Sequence, residues 1–499
     1  MQGRGSDGRL GVAEPAGDLG IMAIVALVAL AFLPKMVMIL AAGAHVGGDS
    51  HVYAKVAANI YQHFCVSLSP PEGGACAPHW GGNQLPGYPA FIALVWLVFG
   101  RSVDAVLIAQ SLVFAVAATR LAAALVALGF RGPWPWLTVL LLGVSPSLIG
   151  WSRSLLTETL TAAAALWLLS ELLLSWRQGR LRIIPTALAF TAGVFLRYDF
   201  VLLALPVAVA GFTIHRPGDA LRRGIAIALI TTVPLGAWTM RSISLGLPTL
   251  PPLGLTVQGE ELPKGMMAWL GTWVDDQYQL RWTLWMVIHS KYDRMVLPEE
   301  AYSNEAERGR IEKQLSRLSA DYLGQLPPAA IDDVFAAEAA RRITERPLER
   351  WVLLPLRRTA RMWLSPFASM GWPAEVSDFE RDAVIGGYRD RDWPLLIDAV
   401  DRNAGAVAMK IIVALDRYAL IIGALLLTAM AWRRRQGQVV FLTTMILAAL
   451  VARALFSGYV LLLETRYLVP QLAWFDVALV VAVASMLRPG PQVPGACKP

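Results

Sequence analysis

The chain has 499 residues, 56% of them hydrophobic and only 16% charged, with a mean hydropathy of +0.50. Soluble domains carry about 25% charged residues, so the composition excludes a disordered chain and argues against a soluble enzyme. The net charge of +7 does not point to nucleic acid, because the arginines fall in short stretches between apolar runs, where membrane topology accounts for them.

The first apolar run, Leu19 to Ala42, lacks an A-x-A-like cleavage site and is too long for a signal-peptide core, so it reads as an anchor. Nine further runs follow: Val103–Leu128, Trp134–Gly150, Leu155–Trp176, Ile183–Leu196, Phe200–Ile214, Gly224–Met240, Val407–Trp432, Val439–Leu463 and Tyr467–Leu487. Ile183–Leu196 and Phe200–Ile214 are short for a hydrocarbon core of about 30 Å, so both are expected to extend into their flanks. Tyr88–Gly100 reads as an interfacial or re-entrant helix.

Placing the N-terminus in the cytoplasm puts Arg131, Arg177, Arg180, Arg182, Arg216, Arg222, Arg223 and Arg433–Arg435 inside. The short outside turns then hold Arg153, Arg197 with Asp199, and Glu464 with Arg466. That asymmetry follows the positive-inside rule. The organisation predicted is a cytoplasmic N-terminus (1–18), a transmembrane bundle (19–243) with an extracytoplasmic loop at 43–102 bearing amphipathic helices, an extracytoplasmic and mainly helical insert (244–406), C-terminal spans (407–488) and a cytoplasmic tail (489–499). Within the insert, Glu305–Leu323 reads as a helix. Trp351–Trp363 reads as an amphipathic helix on the membrane surface, because Arg357, Arg358 and Arg361 would each cost about 2.5–3.5 kcal/mol at a bilayer centre. Cys65 and Cys76 share the first outside loop, where oxidation is possible, and are expected to bridge, two free thiols being the alternative; Cys497 lies inside.

Asp49, Arg153, Glu158, Arg197, Asp199, Arg241, Arg453, Glu464 and Arg466 all fall near the outer ends of spans, and Asp416 and Arg417 lie in the outer half of theirs. Ionisable groups near a membrane interior usually face a cavity and mark function; the plainer explanation is snorkelling and interfacial pairing. Together they suggest one polar site at the outer interface. Asp49 precedes a helical pattern in Tyr53, Val56, Ala57, Ile60 and Phe64. It is therefore either an ordinary helix cap or a general base held at the surface. His45, His51, His63 and His79 share this loop without a recognised metal spacing. Solvated histidines are the default and a divalent metal held by His45, Asp49 and His51 is the alternative.

These residues carry a resemblance. An acidic residue soon after the first span (Asp49), then Tyr53, then Pro86-Gly87-Tyr88-Pro89 leading a short apolar helix, resembles the first loop of the multi-pass GT-C glycosyltransferases that use polyprenyl-phosphate sugars. Protein O-mannosyltransferases and lipid A aminoarabinose transferases belong to that group. Thr157-Glu158 at the outer start of a span and Arg466-Tyr467-Leu468-Val469-Pro470 opening a late one are similar to that family's motifs, as is the Arg-rich stretch Ala337–Trp363. The chain departs from the family at Asn83-Gln84, where many relatives have a basic residue, and at Arg197-Tyr198, where many have Arg-Pro.

The resemblance implies an all-α GT-C-like bundle of about 10–11 transmembrane helices in a bacterial plasma membrane. It implies inverting transfer, on the extracytoplasmic side, from a polyprenyl-phosphate-linked sugar donor to a protein, lipid or polysaccharide hydroxyl. Asp49 would be the base. Arg197, Arg241, Arg453 and Arg466 would meet the donor phosphate, since arginine matches phosphate in a bidentate way, and Glu158, Tyr53, Tyr88 and Glu464 would contact sugar or acceptor. The competing readings are a polytopic transporter or lipid flippase, and a non-catalytic assembly protein.

Overall fold

The computed structural model describes residues 19–71, 76, 85–245, 256–257, 260–295, 297–364, 392–434, 436–461 and 463–487. The expectations for the N-terminus at 1–18, for His79, Asn83 and Gln84, and for the tail with Cys497 lie outside the described residues.

The chain is a helical, multi-pass membrane protein. Seven described helices are long and apolar enough to cross a membrane, or eight if one bent pair counts as a span. They are α1 (Ile21–Ala42), α4 (Val103–Ala127), α7 (Glu158–Gln178), α10 (Pro217–Ser244), α17 (Ala404–Arg434), α18 (Gly437–Tyr459) and α19 (Val469–Leu487) with the short turn before it. α7 and α19 pack against each other at the centre, with α4 and α8 (Ile183–Leu196) on α7 and α17 on α19. The most apolar window of the last span is 89% buried, that of α10 only 17%. The outward side chains of α10, such as Leu229 and Val233, are apolar and exposed, the pattern of a lipid-facing helix.

Two sequence expectations change. The run Trp134–Gly150 is not one helix: α5 (Trp134–Val144) stops, and α6 (Pro146–Ile149) with the 3-10 turn Gly150–Arg153 leaves at 49°. Pro146 disfavours helical backbone at the residue before it, and Ser145 is extended (ψ 120°). α8 does not grow into its flanks, because Arg197 leaves the helix in extended backbone (φ −156°, ψ 129°) to reach the ion pairs described below. Its 14 residues span about 21 Å at 1.5 Å per residue. The next run does extend as expected, with the 3-10 turn Tyr198–Leu203 ahead of α9 (Ala204–Ile214).

The loop after α1 forms α2 (Ser50–His63) and α3 (Gly87–Phe99). α3 buries Tyr88, Ile92 and Trp96 and turns Leu94, Leu97 and Phe99 outward. A Cβ on Gly87 would overlap the Phe195 carbonyl, so the turn Pro86-Gly87-Tyr88-Pro89 is a close contact between α3 and the end of α8. Cys65 and Cys76 are bonded, with Cα atoms 5.6 Å apart.

The insert has its own core, built around Trp269, Ile311, Phe335 and Leu318. Its helices are α11 (Lys264–Leu270), α12 (Gln277–Ile288), α13 (Glu305–Asp321), α14 (Ala329–Glu345), a π-helical turn at Glu349–Leu353 that runs into α15 (Leu354–Leu364), and α16 (Trp393–Arg402). Thr256–Val257 pairs with Glu260–Glu261 in a two-residue antiparallel ladder. Asn304 caps α13 by accepting from Glu307 N at 2.9 Å, and Asp332 caps α11 from α14, accepting from Gly265 N and Met266 N at 2.8 Å each. Buried Glu307 then accepts from Trp269 Nε1 (3.0 Å) and Arg342 Nε (2.6 Å).

The insert is fixed to the bundle. α15 packs along α18, and Leu461 and Leu463 enter the insert core. Arg358, fully buried, donates to the carbonyls of Val274 (2.8 Å), Gly271 (2.8 Å) and Gly458 (3.2 Å). Burial, and then the like charge of Arg350, hold its guanidinium down to about 9. The three arginines of α15 are thus bound to protein rather than to lipid headgroups alone: Arg361 and Arg357 pair with Asp275.

Candidate functional site

Asp49 is placed by the two segments that follow α1 and α6. Arg153 donates to the carbonyls of Ala42 (2.9 Å) and Gly43 (2.8 Å), closing the C-terminus of α1. His45 pairs in parallel with Ser154, through His45 N to Arg153 O (2.8 Å) and Leu155 N to His45 O (3.1 Å). Gly48 adopts φ +55°, and the chain enters α2 at Asp49.

The two readings of Asp49 separate here. It occupies the cap position, but its backbone is already helical (φ −65°, ψ −15°) and its side chain takes no capping hydrogen bond. A capping side chain needs extended backbone to fold back on the helix N–H groups. The carboxylate instead accepts from Arg466 Nη1 at 2.9 Å, and it is 40% exposed.

From Arg466 the charges run inward as a chain. Arg466, on the 3-10 turn Thr465–Leu468, also pairs with Glu464 and lies 4.0 Å from Glu158 Oε1. Glu158 accepts from Arg197 Nη1 (3.2 Å), and Arg197 Nε donates to Asp199 Oδ1 (3.1 Å). Asp199 Oδ2 accepts from Arg453 Nη2 (2.7 Å). The Tyr467 ring lies under both guanidinium groups, 4.3 Å from Arg197 and 5.5 Å from Arg466. Asp49 and Glu464 form the rim, while Glu158 and Arg453 are 2% and 1% exposed.

Four carboxylates therefore face three guanidinium groups. In a water-poor environment such pairs must be hydrogen-bonded to be tolerated, and most of these are. Four buried atoms make no hydrogen bond among the described residues: Arg466 Nε and Glu464 Oε2, which meet as an ion pair, and Arg197 Nη2 and Glu158 Oε2. Buried donors without partners are costly and mark where a ligand atom would be welcome.

The structure brings Asp49, Glu158, Arg197, Asp199, Arg453, Glu464 and Arg466 together, while Arg153 on the α1 carbonyls, Asp416 with its neighbour Arg417, Arg241 and Tyr88 stand apart. Arg241, in the last turn of α10, stacks 4.7 Å over Trp238 and donates to the Val66 carbonyl (3.2 Å), so it guards the loop after α2. Tyr88 is fully buried and its hydroxyl donates to Gln110 Oε1 (3.1 Å). Gln110 Nε2 donates in turn to the Ser152 and Ser154 carbonyls (3.2 and 3.0 Å). Tyr88 thus supports the site from below and offers nothing to a sugar. Tyr53 packs edge-on against it, ring centres 5.1 Å apart. Burial first, then the Asp49 carboxylate, push the Tyr53 phenol up, so it stays neutral. Among the described residues no group of three or more His, Cys, Asp or Glu is placed to hold a metal ion, and His45 Nδ1 faces Ser154 Oγ at 3.4 Å.

A second polar set lies deeper in the bundle; the sequence reading singled out Asp416 in it and missed Lys35, Asp476 and Glu171. Lys35 of α1 and Asp476 of α19 are both fully buried. Lys35 Nζ lies 4.0 Å over the Phe114 ring with no hydrogen-bond acceptor, in electrostatic reach of Asp476. Asp416 sits by the α5–α6 bend, accepting from Ser147 N (2.9 Å) and Ser145 Oγ (3.4 Å). Glu171 pairs with Arg120 and with Arg182 (2.8 Å). The available signal was a lone charge inside an apolar run, as in Leu33-Pro34-Lys35-Met36.

No protein-family model, curated protein or solved structure matches the chain.

Proposed function

We propose that this chain is an inverting membrane glycosyltransferase with a GT-C-like bundle, moving a sugar from a polyprenyl-phosphate donor to a hydroxyl acceptor on a protein, lipid or polysaccharide. In this reading it resides in a bacterial plasma membrane with the insert on the extracytoplasmic side. The observation that carries it is Asp49: a carboxylate released from helix capping, partly exposed, and held by Arg466 beside a second arginine with an unused N–H.

The donor's tail lies in the bilayer and its phosphate reaches Arg466 and Arg197. Because carboxylates outnumber guanidinium groups, the phosphate must take an arginine from an acid already there. Arg466 is the one shared with rim carboxylates, Asp49 and Glu464, both of which can turn to water. Its transfer from Asp49 to the phosphate frees Asp49 to accept the acceptor hydroxyl's proton. The hydroxyl oxygen bonds to the anomeric carbon as the bond to the phosphate oxygen breaks. The electron pair leaves with polyprenyl phosphate, whose charge Arg466 and Arg197 stabilise.

The test uses the purified full-length chain in detergent with labelled polyprenyl-phosphate hexoses and pentoses, and envelope extract as acceptor. Wild type is expected to release polyprenyl phosphate and form labelled product. Donor left intact by the folded wild-type chain across this panel overturns the reading.

A transporter or flippase is the second reading, favoured by the 49° break between α5 and α6 beside buried charges. It is distinguished by movement of the lipid across proteoliposomes with no loss of its sugar.

A further inference from the structure

Guanidinium groups gather at a second place, inside the insert. The α11–α12 turn, the segment at 300–303, the end of α14, the π-helical turn and α15 enclose a cleft of about 410 Å³. Three of its five arginines are neutralised within the protein: Arg342 by Glu307 (2.6 Å), Arg357 by Glu349, and Arg361 by Asp275. The other two differ. Arg346 donates to the Ser303 carbonyl (3.3 Å), and Arg350 stacks 5.2 Å over Trp351. Arg350 Nε and Nη1 are both buried without an acceptor among the described residues. Trp273, 5% exposed, lines the same cleft, and its indole N–H is buried and equally unpartnered.

Nε and Nη1 lie on different edges of the guanidinium, so an oxyanion oxygen takes a charge-assisted hydrogen bond from one of them rather than from a two-donor fork. A tryptophan N–H adds a second donor without adding charge. A cleft of this size admits the anion together with the headgroup or sugar that bears it. The surroundings fit an interfacial position. Tyr459, at the end of α18, donates to the Trp351 carbonyl (2.8 Å), and Leu348, Trp351 and Leu356 nearby are exposed apolar side chains. Tryptophan and tyrosine gather at membrane–water boundaries.

We propose that this cleft is a binding site for a phosphate group, a monoester or diester, held by Arg350 and Trp273, with Arg346 adding positive charge. The site is separate from the Asp49–Arg466 cluster and does not depend on sugar transfer. The phosphate comes from an anionic phospholipid headgroup or from a soluble molecule.

Native mass spectrometry of the full-length chain, delipidated in detergent, tests it. One arm titrates inorganic phosphate; the other compares phosphatidylglycerol with phosphatidylcholine. Saturable binding in either arm is expected, and which arm binds more tightly identifies the source. Arg350→Gln should weaken that binding about 10- to 100-fold, as loss of charge-assisted hydrogen bonds does. Arg350→Lys should restore only part of it, because an ammonium does not reproduce the donor directions of the planar guanidinium. Trp273→Phe keeps the packing and should weaken binding several-fold, and Arg222→Gln, on an exposed residue of α10, should leave it unchanged. No saturable binding to the wild type in either arm overturns the site, as does binding that survives both Arg350→Gln and Trp273→Phe.

Discussion

Arg466 Nη1 and Asp49 Oδ2 meet at 2.9 Å although 417 residues separate them in the chain. The contact closes the bundle, since Asp49 follows the first span and Arg466 opens the last. It also holds the carboxylate away from the helix N–H groups that it would otherwise cap.

Asp49→Asn should therefore cost little stability. The pair is partly exposed, and such pairs contribute about 0–1 kcal/mol. If Asp49 is the base, the same change should lower sugar transfer about a hundred- to ten-thousand-fold. Thermal unfolding in detergent alongside donor turnover checks both halves. Activity close to wild type in the Asn variant removes Asp49 from the chemistry.

Asp199 serves two arginines, Arg197 and Arg453, whereas Arg453 has Asp199 as its one ion-pair partner among the described residues. Asp199→Leu should thus destabilise by about 3–5 kcal/mol, the cost of stranding a buried charge. Arg453→Met should cost less, since Asp199 keeps Arg197. The double variant should cost less than the two single changes added together. Strict additivity in denaturant titrations would show that Arg453 and Asp199 are not energetically coupled.

The insert should respond to acid through Glu307. Burial raises its carboxyl, but donors from Arg342, Ser303 and Trp269 outweigh burial and hold it below the ordinary glutamate value. A carboxyl depressed in the folded state stabilises fully above its unfolded value of about 4.3, and the benefit disappears as pH falls through the lower folded value. Hydrogen exchange across residues 299–345 should therefore quicken as pH drops below about 4.3. In Glu307→Gln that extra acid sensitivity should be missing, with faster exchange already at neutral pH.

Gly87→Ala should disturb the junction of α3 and α8, because the new methyl meets the Phe195 carbonyl, which is backbone and cannot rotate away. A cost of about 1–3 kcal/mol is expected for such overpacking. A melting temperature equal to wild type would mean that the two helices separate easily here.

Much of this was legible in the sequence because membrane spans carry their own signal. Seven of the ten apolar runs became helices long enough to cross a membrane, Trp134–Gly150 broke at Ser145, and the two short runs stayed short. The positions of charges relative to span ends were enough to expect Asp49, Glu158, Arg197, Arg453, Glu464 and Arg466 on one side of the bundle. Which acid meets which arginine was not legible, since the Arg453–Asp199 pair joins positions 254 residues apart. Arg241 shows the limit of that reasoning: it lies at the same end of a span, but its helix directs it to the Val66 carbonyl. The break at Ser145 was written in Pro146, and Lys35 and Asp476 were visible as isolated charges. Attention to span ends passed over all three.

Arg358 has a consequence for how the protein is made. Two of its carbonyl acceptors, Gly271 and Val274, are made before it, but the third, Gly458, lies 100 residues downstream, so the guanidinium leaves the ribosome well before its acceptor on the bundle exists. Docking of the insert must then wait until the penultimate span has been threaded into the bilayer. Chains arrested before that point should show an insert far more open to protease than the finished protein; equal protection in the two would mean that the clamp forms after the insert is already seated.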